Sequence, residues 1–265
     1  MTLYWERHGD DGADRRLLLI NGLGSPMVAF EQGFLDEFVQ RGFAVIRFDN
    51  RDVGRSPRHP EGYDLSDMVE DVIDVLDAAG WPTANVFGQS MGGMIAQQLT
   101  IDAPDRVASL TSLMSSTGNP TVGRPTKDTL AALLTSPPSD PDGWLANWLE
   151  TEQIWCSPAL WDPIWVEAKG RAMLAHGIDP DGSARQYRAV AGRGNRDDAL
   201  AEIDTPTLVI HGSADTLISP SGGRHMAEII PGARYVEIDG MGHDLPPALW
   251  ARLADEVDAF IRSLD

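Results

Sequence analysis

The feature that most limits how this chain can fold is a repeated alternation of short, continuous apolar runs with helical stretches. Leu17-Leu18-Leu19-Ile20 is apolar throughout and stops at Asn21-Gly22. A run of that length with no polar alternation is the pattern of a strand buried on both faces. Phe43-Ala44-Val45-Ile46-Arg47-Phe48 predicts a second strand, stopped by Asp49-Asn50-Arg51-Asp52. Next, Leu65, Met68, Val69, Val72, Ile73, Val75 and Leu76 fall at helical spacing, with Asp64 or Ser66 as cap and Gly80 as stop. A strand near Asn85-Val86-Phe87, a helix from residue 91 to about 102 and a strand over 109–114 follow. Strands separated by helices make βαβ units. The expected fold is therefore α/β, with a mostly parallel central sheet flanked by helices.

The rhythm lapses between residues 117 and 200 and then returns. Residues 207–210 and 234–238 predict strands, and 225–230 lies on a helix between them. A last helix after Pro246-Pro247 carries Leu249, Leu253, Val257, Phe260 and Ile261 on its inner face. The interval is Pro-rich at first. It then holds Trp144, Trp148, Trp155, Trp161 and Trp165, five of the chain's eight tryptophans, at partly helical spacing and with no convincing strand. The expected organisation is a core built from residues 1–116 and 201–265, with 117–200 inserted as a helical cap over the sheet's C-terminal edge. With 42% hydrophobic residues among 265, the chain can bury one large core.

Gly88-Gln89-Ser90-Met91-Gly92 sits where the strand ending in Val86-Phe87 turns into the helix starting at Met91. The five-residue pattern alone is common, and a serine helix cap with helpful glycines would explain it. A sharp strand-to-helix turn, however, exposes a serine hydroxyl at the sheet's C-terminal edge and sets it beside free N–H groups and a positive helix end. Such a nucleophile needs a histidine base and a carboxylate, in the order Ser, Asp or Glu, His. Downstream, the strand over 207–210 runs into His211-Gly212-Ser213-Ala214-Asp215, and the next strand runs into Asp239-Gly240-Met241-Gly242-His243-Asp244. Parallel strands deliver both loops to the edge that holds Ser90. The expected catalytic residues are therefore Ser90, Asp215 and His243. Asp239 and Asp244 are nearer to the histidine in sequence, but they share its own loop, from which the back of the ring is harder to reach.

An oxyanion needs two donors. The N–H of Met91 is the expected first. The second is assigned to Leu23 in the loop Asn21-Gly22-Leu23-Gly24-Ser25, with Gly24 as the neighbouring option. Trp144, Trp148, Trp155 and Trp165 are candidates for substrate contact, or else fill the cap's own core. His211 reads as a ligand of its own loop's backbone, and His8, His59, His176 and His225 have no motif around them. Cys156, the single cysteine, has no reactive context and reads as a small buried apolar residue. No zinc-ligand spacing, GxGxxG or phosphate loop occurs, so neither metal nor cofactor is expected.

The formal charge of −19 repels phosphate backbones and anionic bilayers, so neither nucleic acid nor a membrane surface is an expected partner. Residues 1–8 lack the basic region and apolar run of a signal peptide, and no stretch approaches about 18 apolar residues. The expected location is the cytoplasm.

Taken together, the Asn21-Gly22 loop, the segment Asp49-Asn50-Arg51-Asp52-Val53-Gly54-Arg55-Ser56, the turn around Ser90, the His211-Gly212 to Asp215 loop and Gly242-His243-Asp244-Leu245-Pro246 resemble the α/β-hydrolase superfamily. Within it the chain is similar to actinobacterial carboxylesterases and lipases and to the aclacinomycin methylesterase group. The resemblance covers nearly all of the chain outside residues 117–200. It implies Ser90, Asp215 and His243 as a triad, Leu23 and Met91 as oxyanion donors, and residues 49–56 as a packed structural loop beneath the site. One departure is Asn21, where many relatives carry histidine. A serine at the turn excludes the halide and epoxide chemistries of this fold, which need a carboxylate nucleophile. The expected activity is hydrolysis of a small-molecule carboxylic ester, apolar or aromatic and including polyketide-type methyl esters. Perhydrolysis or haloperoxidation without cofactor, lactone or C–C hydrolysis and acyl transfer use the same residues. A ligand receptor on a hydrolase shell is the alternative outside catalysis.

Overall fold

The computed structural model describes residues 3–135 and 137–264. Its strands are β1 (Trp5–His8), β2 (Arg16–Ile20), β3 (Ala44–Phe48), β4 (Ala84–Gln89), β5 (Val107–Leu113), β6 (Thr207–Gly212) and β7 (Arg234–Ile238). They form one sheet in the order β1-β3-β2-β4-β5-β6-β7. Every pairing is parallel except that of β1, which runs antiparallel to β3 with Trp5 opposite Phe48. This short edge strand and α1 (Gln32–Gln40) are additions to the elements read from the sequence.

Residues of β2 alternate between two cores, which explains the unbroken apolar run. Leu18 and Ile20 pack with Val86 against α2 (Leu65–Ala78) and α3 (Met91–Asp102). Leu17 and Leu19 face the other way, onto Phe34 and Phe38 of α1 and onto Leu253 and Val257 of α10 (Pro247–Arg262). Each such side chain contributes about 1.5–3 kcal/mol on burial, so β2 stabilises the cores on both of its faces. Asp64, not Ser66, caps α2: it accepts from the Ser66 and Asp67 N–H groups while the Asp67 carboxylate accepts from Asp64 N–H.

Between β5 and β6 the chain is helical, with α4 (Lys127–Leu134), α5 (Pro141–Trp155), α6 (Pro163–His176), α7 (Pro180–Arg193) and the short α8 (Asp197–Leu200). Three of these starts repeat one device: Asp140, Asp162 and Asp179 cap α5, α6 and α7, and each is followed by a proline at the first helical position. After β6 comes α9 (Ser221–Ile229), then β7 and α10.

The two ends of the helical stretch between β5 and β6 are tied together at Asp197. Its carboxylate accepts from Thr117 Oγ1 at 2.5 Å, from Asn119 Nδ2 at 2.5 Å and from Asn195 Nδ2 at 3.2 Å, with His225 Nε2 at 2.9 Å. Arg196 N–H donates to Thr117 O, and its guanidinium reaches Ser116 O and Gln97. Burial pushes the Asp197 carboxyl up, but the hydrogen bonds from Thr117, His225 and Asn119 outweigh it and bring it down to about 2. A depressed folded value means that this contribution to stability is complete above about pH 4 and is lost as pH falls toward about 2. Thermal unfolding checks it. Asp197→Asn is expected to lower Tm by roughly 4–10 °C at neutral pH, the cost of charged hydrogen bonds in a chain of this size. The gap should hold down to about pH 4 and narrow from there toward about pH 2, as the wild-type carboxylate is protonated. A gap that stayed constant over that interval would contradict the assignment.

Candidate active site

Ser90 occupies the turn between β4 and α3 with φ 55° and ψ −118°, a backbone region costly for any residue with a Cβ. The neighbouring glycines make the turn possible. A Cβ at Gly88 would lie 2.3 Å from Gly92 O, and one at Gly92 would lie 2.0 Å from Ile20 O. The backbone of α3 can therefore approach the end of β2, where Asn21 and Gly22 begin the next part of the site. Ser90 N–H donates to Leu113 O, which pins the turn to β5.

The loops after β6 and β7 bring the predicted partners to this point. His243 Nε2 lies 2.9 Å from Ser90 Oγ, and His243 Nδ1 lies 2.7 Å from Asp215 Oδ2. Asp215 Oδ1 accepts the N–H groups of Leu217 and Ile218, at 2.8 and 2.9 Å. Burial pushes the Asp215 carboxyl up. The His243 charge, with the hydrogen bonds from His211 and His243, more than reverses this and holds it well below the usual carboxylate range. Asp239 and Asp244 do not meet the ring: Asp239 accepts from Ser213 Oγ, and Asp244 Oδ1 accepts from Ser157 Oγ and N–H.

The Asn21 side chain shapes the loop after β2, donating from Nδ2 to Pro26 O and accepting Gly22 N–H on Oδ1. Gly24 N–H is taken by Gln186 Oε1 at 2.8 Å. Leu23 N–H donates to no group among the described residues, and the Met91 N–H, first in its helix, has no acceptor within α3. Both residues line the same cavity as Ser90 and His243. That cavity has a volume of about 390 Å³ and mostly apolar walls, contributed by the core and by α4 to α7.

Of the tryptophans, Trp148 and Trp155 line this cavity. Trp144 stands behind Trp148, stacked at 5.5 Å and 9° between ring planes. Trp165 donates from Nε1 to Glu31 Oε2 at 2.8 Å and so fastens α6 to the segment ahead of α1. Neither Trp144 nor Trp165 lines the cavity, because helical spacing alone does not say which face of α5 or α6 looks inward.

Further residues support or line the site, and of these Ser157, Glu152 and Lys169 carry no local sequence signal. His211 is fully buried, with Nε2 2.8 Å from Ile218 O and 3.2 Å from Asp215 Oδ2. Both neighbours are acceptors, which assigns the ring proton to Nε2. His211 thus serves the loop backbone, as its position implies, and also touches the Asp215 carboxylate. Ser157 Oγ accepts Gly242 N–H at 2.9 Å, and Trp155 O accepts His243 N–H at 2.6 Å, so the end of α5 sits directly on the histidine loop. A Cβ at Gly242 would lie 2.4 Å from Trp155 O, which is why that position is glycine. Finally, buried Glu152 and Lys169 line the cavity wall.

Apart from exposed Arg55, the segment 49–56 is buried and holds α6 and α7 against the core. Asp49 accepts from Met27 and Arg55 N–H and lies 2.8 Å from His176 Nε2 of α6. Asp52 pairs with Arg185 of α7 at 2.7 Å. Among the described residues, no group of three or more His, Cys, Asp or Glu is arranged to hold a metal ion. No helix among them is long and apolar enough to cross a membrane.

A family model described as alpha/beta hydrolase fold matches residues 15–246. The chain is similar to the rhodomycin D methylesterase DauP of Streptomyces sp. (strain C5), 33% identical over 297 aligned positions that cover 99% of this chain and 96% of that protein. It is also similar in structure to the enol-lactonase from Burkholderia xenovorans LB400, with a TM-score of 0.75, 25% identity and coverage of 99% and 94%. Esterase RhEst1 from Rhodococcus sp. ECU1013 shares the fold, with a TM-score of 0.79, 22% identity and coverage of 98% and 94%.

Proposed function

Because this chain belongs to the α/β-hydrolase family and is a carboxylic ester hydrolase, we propose that it cleaves its ester through an acyl-enzyme on Ser90, with residues 117–200 as the cap that selects the substrate. One observation carries this reading. The Ser90 hydroxyl, the two His243 nitrogens and the Asp215 carboxylate form a continuous chain of 2.9 and 2.7 Å contacts that opens on an apolar cavity.

In the proposed reaction Ser90 Oγ attacks the ester carbonyl carbon as His243 Nε2 takes the hydroxyl proton. Asp215 keeps the other ring proton on Nδ1 and stabilises the imidazolium. The oxyanion of the tetrahedral intermediate accepts from the N–H groups of Leu23 and Met91. Collapse breaks the bond to the alcohol, which leaves with the proton held by His243. Water then repeats the sequence on the acyl-enzyme, giving the acid and free Ser90. The similarity to a rhodomycin D methylesterase, together with Trp148 and Trp155 on the cavity wall, favours the methyl ester of a bulky polyketide-like aromatic acid as substrate.

A phosphonate ester that mimics the tetrahedral state tests the nucleophile directly. Mass spectrometry of the inactivated protein should find one phosphonyl group, on the peptide containing Ser90, and Ser90→Ala should take up none. Inactivation with the label on another residue would overturn the assignment.

A further inference from the structure

Lys169, on α6, is only 8% exposed, yet it lines the cavity that holds Ser90 and His243. Among the described residues, its ammonium has no hydrogen-bond partner and no carboxylate within 4.0 Å. The nearest assigned contact is the Trp165 ring, whose centroid is 5.2 Å from Nζ. Two carboxylates share this wall, and both are turned to other donors. Glu152 accepts from Trp155 Nε1 at 3.0 Å on one oxygen and from Cys156 Sγ at 3.1 Å on the other. Burial raises the Glu152 carboxyl, with the Lys169 charge opposing it. Asp244 Oδ1 is held by Ser157. The Lys169 Nζ is not closed off from the cavity, and an ammonium that faces a mostly apolar cavity without a protein acceptor takes one from water or from a ligand. The proposed reaction on Ser90 makes no use of Lys169.

We propose that Lys169 is a specificity residue that donates a hydrogen bond to a carbonyl or phenolic oxygen of the substrate, remote from the ester under attack. This rests on the esterase reading above and narrows it: the preferred acid is an oxygenated aromatic, not a hydrocarbon of the same shape. A ligand oxygen at Nζ supplies the acceptor that the protein withholds. The surrounding apolar wall strengthens that bond and penalises any substrate that leaves the ammonium unmet.

Matched methyl esters test this. A 2-naphthoate carrying an acetyl group at position 5, 6 or 7 is compared with the same ester carrying an isopropyl group, which keeps the shape and removes the acceptor. In wild type, at least one acetyl ester should exceed its isopropyl partner in kcat/KM by roughly 10- to 100-fold, the range for a hydrogen bond to a charged group. Lys169→Met should bring that ratio close to one, by removing the acetyl ester's advantage and relieving the isopropyl ester of the unmet ammonium. Lys169→Arg, which keeps a cationic donor on a similar stem, should retain part of the preference and guards against misfolding of the Met variant. A ratio unchanged in Lys169→Met, or no acetyl preference at any position, overturns the proposal and leaves the esterase reading intact. If no ester is turned over at all, the esterase reading fails, and titration of the same pairs into Ser90→Ala decides on Lys169 through binding alone: an acetyl preference lost in the Ser90→Ala, Lys169→Met double variant supports it, and equal binding overturns it.

Discussion

Replacing Ser90 with alanine should lower kcat on short p-nitrophenyl esters by on the order of 10⁴-fold or more, with little change in KM. The cavity walls and the N–H groups of Leu23 and Met91 stay where they are, so on the proposed mechanism ester binding and part of the oxyanion stabilisation should survive. Only the covalent route is lost. Ser90→Gly separates chemistry from strain. Ser90 holds φ 55° with a Cβ in place, which costs about 1–3 kcal/mol, and glycine adopts that backbone freely. The glycine variant should therefore be as inactive as the alanine variant while melting at the same temperature as wild type or higher. Wild-type turnover in Ser90→Ala would remove the nucleophile from this account and leave the cavity as a binding site.

The α/β class is legible in the sequence because a strand buried on both faces cannot hide its composition. Leu17 to Ile20 serve two cores at once and so lack the polar alternation of a half-exposed strand. β1 escapes notice for the opposite reason. It is four residues long, lies at the sheet's edge and contains Glu6 and Arg7, so no apolar run marks it. The stretch between β5 and β6 reads as helical from its tryptophans, yet its internal boundaries are written in another signal, the Asp-Pro pairs at 140, 162 and 179. Ser90, Asp215 and His243 each stand just beyond a strand, so a parallel sheet is enough to place them on one edge. The residues that hold them have no such rule. Ser157 reaches Gly242 across 85 positions and Trp165 reaches Glu31 across 134. Pairs that distant arise from how helices pack on the sheet, and local periodicity carries no trace of them. Lys169 is the extreme case, a lone lysine in a helix pattern that becomes unusual only once its surroundings are known.

Asp215→Asn should reduce kcat/KM by roughly 10⁴-fold at neutral pH with the fold retained, an effect out of proportion to the one atom exchanged. The Asp215 carboxylate accepts from two sides: Leu217 and Ile218 N–H on Oδ1, His243 and His211 on Oδ2. A carboxamide has one accepting atom. The backbone donors cannot turn away, so the amide oxygen must face them and its NH₂ must face His243. That ring then presents a lone pair at Nδ1 and carries its proton on Nε2, where Ser90 needs a base and meets a donor. Asp244→Asn is the control, because Asp244 is engaged by Ser157 and makes no contact with the ring. It should lose less than about tenfold, the scale of a perturbed neighbour and not of an inverted tautomer. Comparable losses in the two variants would mean that the wrong carboxylate has been assigned. Stability follows the same sign as activity. Asp215 is held below the ordinary carboxylate range, so its contribution to stability is fully present above about pH 4 and lost only as pH falls through the depressed value. The thermal deficit of Asp215→Asn should accordingly persist unchanged from neutral pH into weak acid, in the interval where the Asp197 deficit has also not yet begun to close.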